Sequence, residues 1–243
     1  MLKGLPNFIF NFELVKCNAL GMKLAKKRVN RLLDLGCGDG KLTMEFADVI
    51  GCNDVFGVDI IDSMRKQAEK QRIRCFDFDL NSKWDLQDNY FDTVLSSQNI
   101  EHLHNTRMCL EESYRCLKTG GQIIVLTENL ASWANIFSLF FGWQPFSTTN
   151  INGWSLGNPF IWHKNVYKDE AESKRINDAG LSGAVGHNRV LSYQGLKDLL
   201  QKSGFKNVRV FTVGYLPFWG WLSDLLVKID RRHGHFLIGI GEK

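Results

Sequence analysis

Apolar positions follow two rhythms along this chain. Between residues 31 and 127, short unbroken apolar runs alternate with stretches whose apolar positions recur at helical spacing. The runs Arg31–Leu35, Val55–Asp59, Ile73–Phe78, Phe91–Ser96 and Gln122–Thr127 read as strands. Asp62 or Ser63 is the expected cap of one intervening helix, with Met64 and Ala68 on one face. Leu110, Tyr114 and Leu117 fall at i, i+4 and i+7 of another, which Gly120-Gly121 is expected to end. After a break, Ser192 caps a helix with Leu196, Leu199 and Leu200 inward, closed by Gly204. Phe205–Val213 reads as a sixth strand and Phe236–Ile240 as a last short one. Strands alternating with helices predict an α/β fold with a mostly parallel sheet covered on both faces.

Residues 128–191 break the rhythm and hold four of the seven Trp (Trp133, Trp143, Trp154, Trp162). At 243 residues the chain reads as one domain with a sizeable insertion. A hydrophobic share of 44% and a charged share of 23% exclude disorder and collagen-like repeats. The net charge of +4 does not point to nucleic acid. Six Lys or Arg and one acid fall in residues 1–30, read as a basic helical segment. The six cysteines form no CxxC, and no His cluster accompanies them. Neither a zinc site nor a disulfide framework is expected, and reduced thiols suit a cytoplasmic protein. No apolar run reaches about 18 residues, so no spanning helix is expected. The N-terminus has neither a continuous apolar stretch nor a small-residue cleavage site, so no signal peptide is expected.

The richest local signal is Leu32-Leu33-Asp34-Leu35-Gly36-Cys37-Gly38-Asp39-Gly40, a strand entering a glycine-rich turn and then a helix. Glycines let a ligand approach the backbone, and the helix start offers N–H groups to an anion. A dinucleotide fingerprint needs its third glycine at position 41, which is Lys41. The spacing therefore opposes a nicotinamide oxidoreductase. No Walker A pattern occurs.

An acid followed by G-x-G-x-G resembles motif I of the class I S-adenosylmethionine-dependent methyltransferases. Val55-Phe56-Gly57-Val58-Asp59, Asp77-Phe78-Asp79-Leu80-Asn81, Phe91–Ser97 with Glu101-His102-Leu103, and Leu117-Lys118-Thr119-Gly120-Gly121 resemble further segments in the same order. Asn129–Trp133 through Gln144–Thr148 resembles a bacterial and archaeal subgroup. The resemblance implies a Rossmann-like, seven-stranded, mostly parallel sheet whose last strand is antiparallel, with helices on both faces. It also implies a lid insertion after the fifth strand. The donor-binding core would be 31–127 and 192–243, and the substrate-side lid 128–191. S-adenosylmethionine would be the donor and S-adenosylhomocysteine the product. The family's donor residues map onto Asp34, Gly36, Cys37, Gly38, Gly40, Asp59, Ile60, Asp79, Leu80, Ser97 and Gln98. Asp59 would bond the ribose hydroxyls and Asp79 the adenine amino group. In open parallel sheets ligands sit at the carboxyl ends of strands, where these acids fall.

Methyl transfer by SN2 displacement needs alignment, and a base where the acceptor is a hydroxyl. His102 is read either as that base or as a side chain packing near the methionine end. Glu128, Asn129, His163, His187 and Arg189 are the substrate-side candidates, and no metal is expected. Ser96-Ser97-Gln98-Asn99-Ile100 is not an Asn/Asp-Pro-Pro-Tyr motif, and no Pro-Cys pair exists. Nucleic-acid acceptors are therefore not expected. A small molecule or a lipid- or glycan-type acceptor is favoured: a sugar hydroxyl, a quinone-type phenol or a carboxylate. A non-catalytic module that senses the donor is the rival reading. Phe8–Val15, Leu130–Phe146 and Tyr215–Val227 are apolar and aromatic, with Lys26-Lys27-Arg28 and Arg231-Arg232 nearby. They read either as lid and core or as an interfacial surface that places the chain peripherally at the inner membrane face.

Overall fold

A computed structural model describes residues 5–151, 154–160 and 186–243. Nine strands and seven helices are described: α1 (Leu5–Leu24), β1 (Arg31–Leu35), α2 (Lys41–Ile50), β2 (Asp54–Val58), α3 (Asp62–Lys70), β3 (Arg74–Phe76), β4 (Phe91–Ser97), α4 (Thr106–Cys116), β5 (Leu117–Glu128), α5 (Trp133–Phe140), β6 (Asn150–Ile151), β7 (Trp154–Ser155), α6 (Tyr193–Lys202), β8 (Lys206–Val213), α7 (Gly220–Ile229) and β9 (Phe236–Glu242). Short 3₁₀ turns occupy Ile100–His102 and Phe146–Thr148.

Seven strands form one sheet in the order β3-β2-β1-β4-β5-β9-β8. The pairings from β3 through β5 are parallel, and β9 runs antiparallel to both β5 and β8. The expected fold, with its last strand antiparallel, is the one observed. Alternation along each strand divides the core into two layers. Leu33, Val94, Ile123 and Leu237 face α4 and α6. Leu32, Leu95, Ile124 and Phe236 face α1 and α2. Both faces are covered, so the strands read as unbroken apolar runs. All six cysteines are free.

Several boundaries differ from expectation. β3 stops at Phe76, so Asp77–Asp79 lie beyond the strand. Leu117 is not helical: the chain leaves α4 at Cys116, and β5 continues straight through Gly120-Gly121. Gly120 takes a φ of 78° there, a conformation open to glycine, and the β4–β5 register shifts nearby. Neither Asp62 nor Ser63 caps α3; Ile61 is the cap residue and makes no side-chain bond. Ser192 does cap α6, its Oγ accepting the Gly195 N–H.

Candidate active site

β1 ends at Leu35, and the chain turns over Gly36–Gly40 into α2. The Gly36 and Cys37 N–H groups both donate to the Val58 carbonyl, at 2.7 and 3.0 Å, so the turn hangs from the end of β2. Gly36 has a φ of 76°, and a Cβ there would lie 2.6 Å from Asn99 Oδ1. Gly38 also has a positive φ, but a Cβ there would meet nothing within 4 Å. The loop at Gly38 therefore borders open space.

Asp59 follows β2 directly. Its Oδ2 accepts the Gly38 N–H at 2.9 Å and its Oδ1 the Ile61 N–H at 2.8 Å. Arg65 Nη1 donates to the Asp59 carbonyl at 2.8 Å. Burial raises the carboxyl's pKa, while the Ile61 and Gly38 N–H groups hold it back. Ile60, next in the chain, is exposed. Asp34 is buried under the turn, and its Oδ2 accepts the Thr43 hydroxyl at 2.6 Å. Burial pushes Asp34 up to about 7 against that bond, with the Asp59 charge adding to the shift. Cys37 is also buried.

β4 brings a third group to this edge, its Ser96 paired with Leu35 of β1. Gln98 adopts a φ of 48° and donates its N–H to the Leu126 carbonyl at 2.8 Å. Ser97 Oγ, Gln98 Nε2 and Asn99 Nδ2 are buried and have no hydrogen-bond partner among the described residues; the same holds for Asp34 Oδ1. Buried polar atoms normally find partners. Orphans gathered at one sheet edge, beside an open glycine loop, suit a polar ligand seated there.

Asp79 is placed differently. It is exposed, and its Oδ1 accepts both the backbone and side-chain N–H groups of Asn81, closing a turn after β3. Leu80 beside it is buried.

On the other side of the β4 end, Glu101 is fully buried. Its Oε2 accepts the Thr127 hydroxyl at 2.8 Å, and its Oε1 has no partner among the described residues. Burial pushes it up to about 7, against the pull of His187 and Thr127. His102 Nδ1 lies 3.1 Å from the Gly186 carbonyl and His187 Nδ1 lies 2.7 Å from the Ser147 carbonyl. The two rings meet edge to face at 4.8 Å. Donor atoms of Glu101, His102 and His187 all fall within 4.8 Å of one another. The strap that carries His187 is held by backbone: Asn188 and Arg189 both donate N–H groups to the Glu101 carbonyl.

The remaining substrate-side candidates divide. Arg189 is exposed, its Nε donating to the His104 carbonyl. Glu128, buried at the end of β5, joins the Glu101 side, where its charge adds to the upward push on the Glu101 carboxyl. Asn129 is buried too, and its amide donates to the Arg232 and Gly234 carbonyls. Those bonds tie the start of the insertion to the loop before β9. His163 lies outside the described residues. Thr43 carries no signal in the sequence; Asn99 and Glu101 stand there only within longer segments, without a role of their own. A separate cleft of about 540 Å³, lined by Arg28, Arg31, Asp54 and Lys118, opens where the strands begin, at the opposite edge.

A family model described as a methyltransferase domain matches residues 11–210. The chain is similar to the mitochondrial ubiquinone biosynthesis O-methyltransferase of Rattus norvegicus, 28% identical over 152 residues, covering 59% of this chain and 42% of that one. It is similar to the ubiquinone/menaquinone biosynthesis C-methyltransferase UbiE of Photorhabdus laumondii, 24% identical over 191 residues, covering 75% and 68%. The chain spans less than half the length of the rat protein, and 46% of an uncharacterized methyltransferase of Schizosaccharomyces pombe that is 31% identical over 128 residues. A solved S-adenosylmethionine-dependent methyltransferase from Thermotoga maritima shares the fold, with a TM-score of 0.60 at 18% identity over 97% of this chain and 91% of its own.

Proposed function

The chain belongs to the methyltransferase-domain family of class I S-adenosylmethionine-dependent enzymes, and on that premise we propose that it methylates an oxygen of a small-molecule or lipid- or glycan-type acceptor. S-adenosylmethionine supplies an electrophilic methyl group; the chain's own residues hold the donor and deal with the acceptor's proton. The observation that carries the reading is the gathering of Asp34, Asp59, the open turn at Gly38 and the orphaned Ser97, Gln98 and Asn99 groups on one sheet edge.

Asp59 is the residue assigned to the ribose. Each carboxylate oxygen keeps a second lone pair beyond its backbone N–H bond, so the group can still accept from a vicinal diol. Gly36, Cys37, Gly38 and Gly40 would run beside the donor, with Ile60 and Leu80 as its apolar neighbours. Asp79 is assigned to the adenine end, at the cost of its turn with Asn81.

A hydroxyl acceptor needs its proton removed, and His102 is the group assigned to that step. A carbonyl can only accept, so the Gly186 carbonyl fixes the Nδ1–H tautomer and makes Nε2 the lone-pair nitrogen of the neutral ring. His187, held the same way, would flank the acceptor. The relatives named for ubiquinone biosynthesis support a phenolic or lipid-like acceptor over a nucleic acid. Such an acceptor would place the chain peripherally at the cytoplasmic face of a membrane, with residues 128–191 as the lid. Incubation with labelled S-adenosylmethionine and a panel of phenols, sugar alcohols and carboxylates tests the reading. Label in an ether or ester is the expected result. Donor binding with no transfer to any acceptor would make the chain a sensor.

A further inference from the structure

Two helices of this chain, α5 and α7, are inverted: they bury polar side chains and turn apolar ones outward. α5 buries Asn135 and Ser138 completely, while Phe137 and Phe140 face out, Phe140 with 82% of its surface exposed. α7 buries Ser223 and exposes Trp221 (76%) and Ile229 (74%). α1 is mixed: it buries Ile9, Cys17 and Gly21 together with Glu13, while Phe8, Phe12 and Val15 are exposed. Scattered exposed apolar side chains are ordinary, but a contiguous apolar patch marks an interaction surface.

The two inverted helices and α1 are joined through polar groups. Glu13 Oε1 accepts the Gly220 N–H at 3.2 Å, and Lys16 pairs with Asp224, which ties α1 to α7. Trp133 Nε1 donates to Asp230 Oδ2 at 2.8 Å, which ties α5 to the end of α7. Polar groups thus fasten the three together, and the apolar faces of α5 and α7, with Phe8, Phe12 and Val15 of α1, are left on the outside.

Charge identifies the occupant. From Asn129 to Trp162 the sequence contains no Lys, Arg, Asp, Glu or His. The acids of the region are engaged: Glu13 and Asp224 with Lys16, and Asp230 with Trp133, Tyr215 and His233. Lys228, Arg231 and Arg232 are exposed and make no ion pair among the described residues. Lys228 shares the helical stripe of Trp221, Leu225 and Ile229. An aromatic surface with a basic rim complements an anionic lipid interface. It complements a second copy of itself poorly, since a rim of one sign would face its own kind. No described helix is long and apolar enough to cross a membrane, so the contact lies along the surface.

We propose that the outer faces of α1, α5 and α7 form one docking surface for an anionic lipid bilayer. The inner face of α5 reaches the candidate active site in two steps, Asn135 Nδ2 to Ser147 Oγ at 2.9 Å and the Ser147 carbonyl to His187. Docking would therefore set the acceptor side of the site at the lipid. The surface itself stands on the fold and does not require the acceptor to be a lipid.

The test is co-sedimentation of the full chain, without acceptor, with vesicles of phosphatidylcholine plus phosphatidylglycerol, compared with phosphatidylcholine alone. Binding to the anionic vesicles that weakens with added salt is expected. The double variant Phe140→Ser/Trp221→Ser should stay in the supernatant while melting like the parent, since both side chains are exposed. Arg231→Gln/Arg232→Gln should weaken anionic binding by roughly thirtyfold, two basic groups each contributing about 1 kcal/mol near the surface. A chain that stays in the supernatant with anionic vesicles overturns the proposal. So does a stable dimer in light scattering that Phe140→Ser/Trp221→Ser dissociates, because the occupant is then a second copy. Binding indifferent to the arginine pair overturns the assignment to anionic lipid.

Discussion

Asp59 accepts the Gly38 N–H at 2.9 Å, a bond that spans 21 residues and joins the tip of β2 to the middle of the glycine turn after β1. One carboxylate thus does two things: it holds the turn in shape and presents its remaining lone pairs to the open space beside Gly38. Asp59→Ala is expected to remove both. Charged hydrogen bonds are typically worth about 1.5–3 kcal/mol, so calorimetry with S-adenosylmethionine should show affinity reduced roughly ten- to a hundredfold. Asp59→Asn keeps the acceptor for Gly38 and should lose less. Unchanged affinity in the alanine variant would place the ribose elsewhere.

Gly36 tests the packing of the same turn from below. A Cβ at this position would press on Asn99 Oδ1 at 2.6 Å and would sit on a backbone with a φ of 76°. The backbone strain alone is worth about 1–2 kcal/mol. Gly36→Ala should therefore melt several degrees lower, at roughly 2–4 °C per kcal/mol for a chain of this size. Gly36→Ala combined with Asn99→Gly removes the clash but not the strain, and should recover part of the loss. A double variant no more stable than the single would show that Asn99 is not what the methyl group meets.

What the sequence makes legible follows from burial. Strands buried on both faces must be apolar throughout, so Leu32–Leu35 and Val55–Val58 stand out as runs, and the acids just past them mark the carboxyl edge. Leu117 misleads because it completes a helical stripe with Leu110 and Tyr114, while a positive φ at Gly120 lets β5 begin five residues before the expected Gln122. The meeting of His187 with Glu101 and His102 leaves no local trace. It depends on a strap whose Asn188 bonds the His102 carbonyl across 86 residues. The outward faces of α5 and α7 are illegible for a different reason. Periodicity shows that a helix has an apolar side, but it cannot show whether that side turns to the core or away from it.

Asp34 and Glu101 should make the unliganded fold lose stability as pH rises. Both are buried carboxyls pushed up to about 7 by desolvation. The unfolded chain releases these protons near the ordinary carboxyl values, around 4, whereas the folded chain keeps them until about 7. Between those limits the folded state binds more protons, so its extra stability is complete below about 4 and declines through 7. The combined effect is on the order of a few kcal/mol. Melting temperatures measured from pH 5 to pH 8 should fall. Glu101→Gln should flatten the slope and melt higher than the parent at pH 8. A melting temperature that rises over this range would mean that both carboxyls are ionised in the folded protein.

His102 and His187 face each other edge to face at 4.8 Å, each with Nδ1 against a backbone carbonyl. That arrangement fixes the tautomer of two rings and fits proton removal from an acceptor hydroxyl. With a soluble phenol as acceptor, His102→Ala is expected to lower kcat by roughly a hundredfold to ten-thousandfold, the range for a general base. Its affinity for S-adenosylmethionine should stay unchanged. The acidic limb of the kcat/KM profile should disappear in this variant, whereas a ring that only packs would lower activity equally at every pH. His187→Ala should raise KM more than it lowers kcat, because its assigned place is beside the acceptor. Activity should survive EDTA. Loss of activity in EDTA, restored by a divalent cation, would mean that the Glu101, His102 and His187 donors within 4.8 Å of one another hold a metal and do not pass a proton.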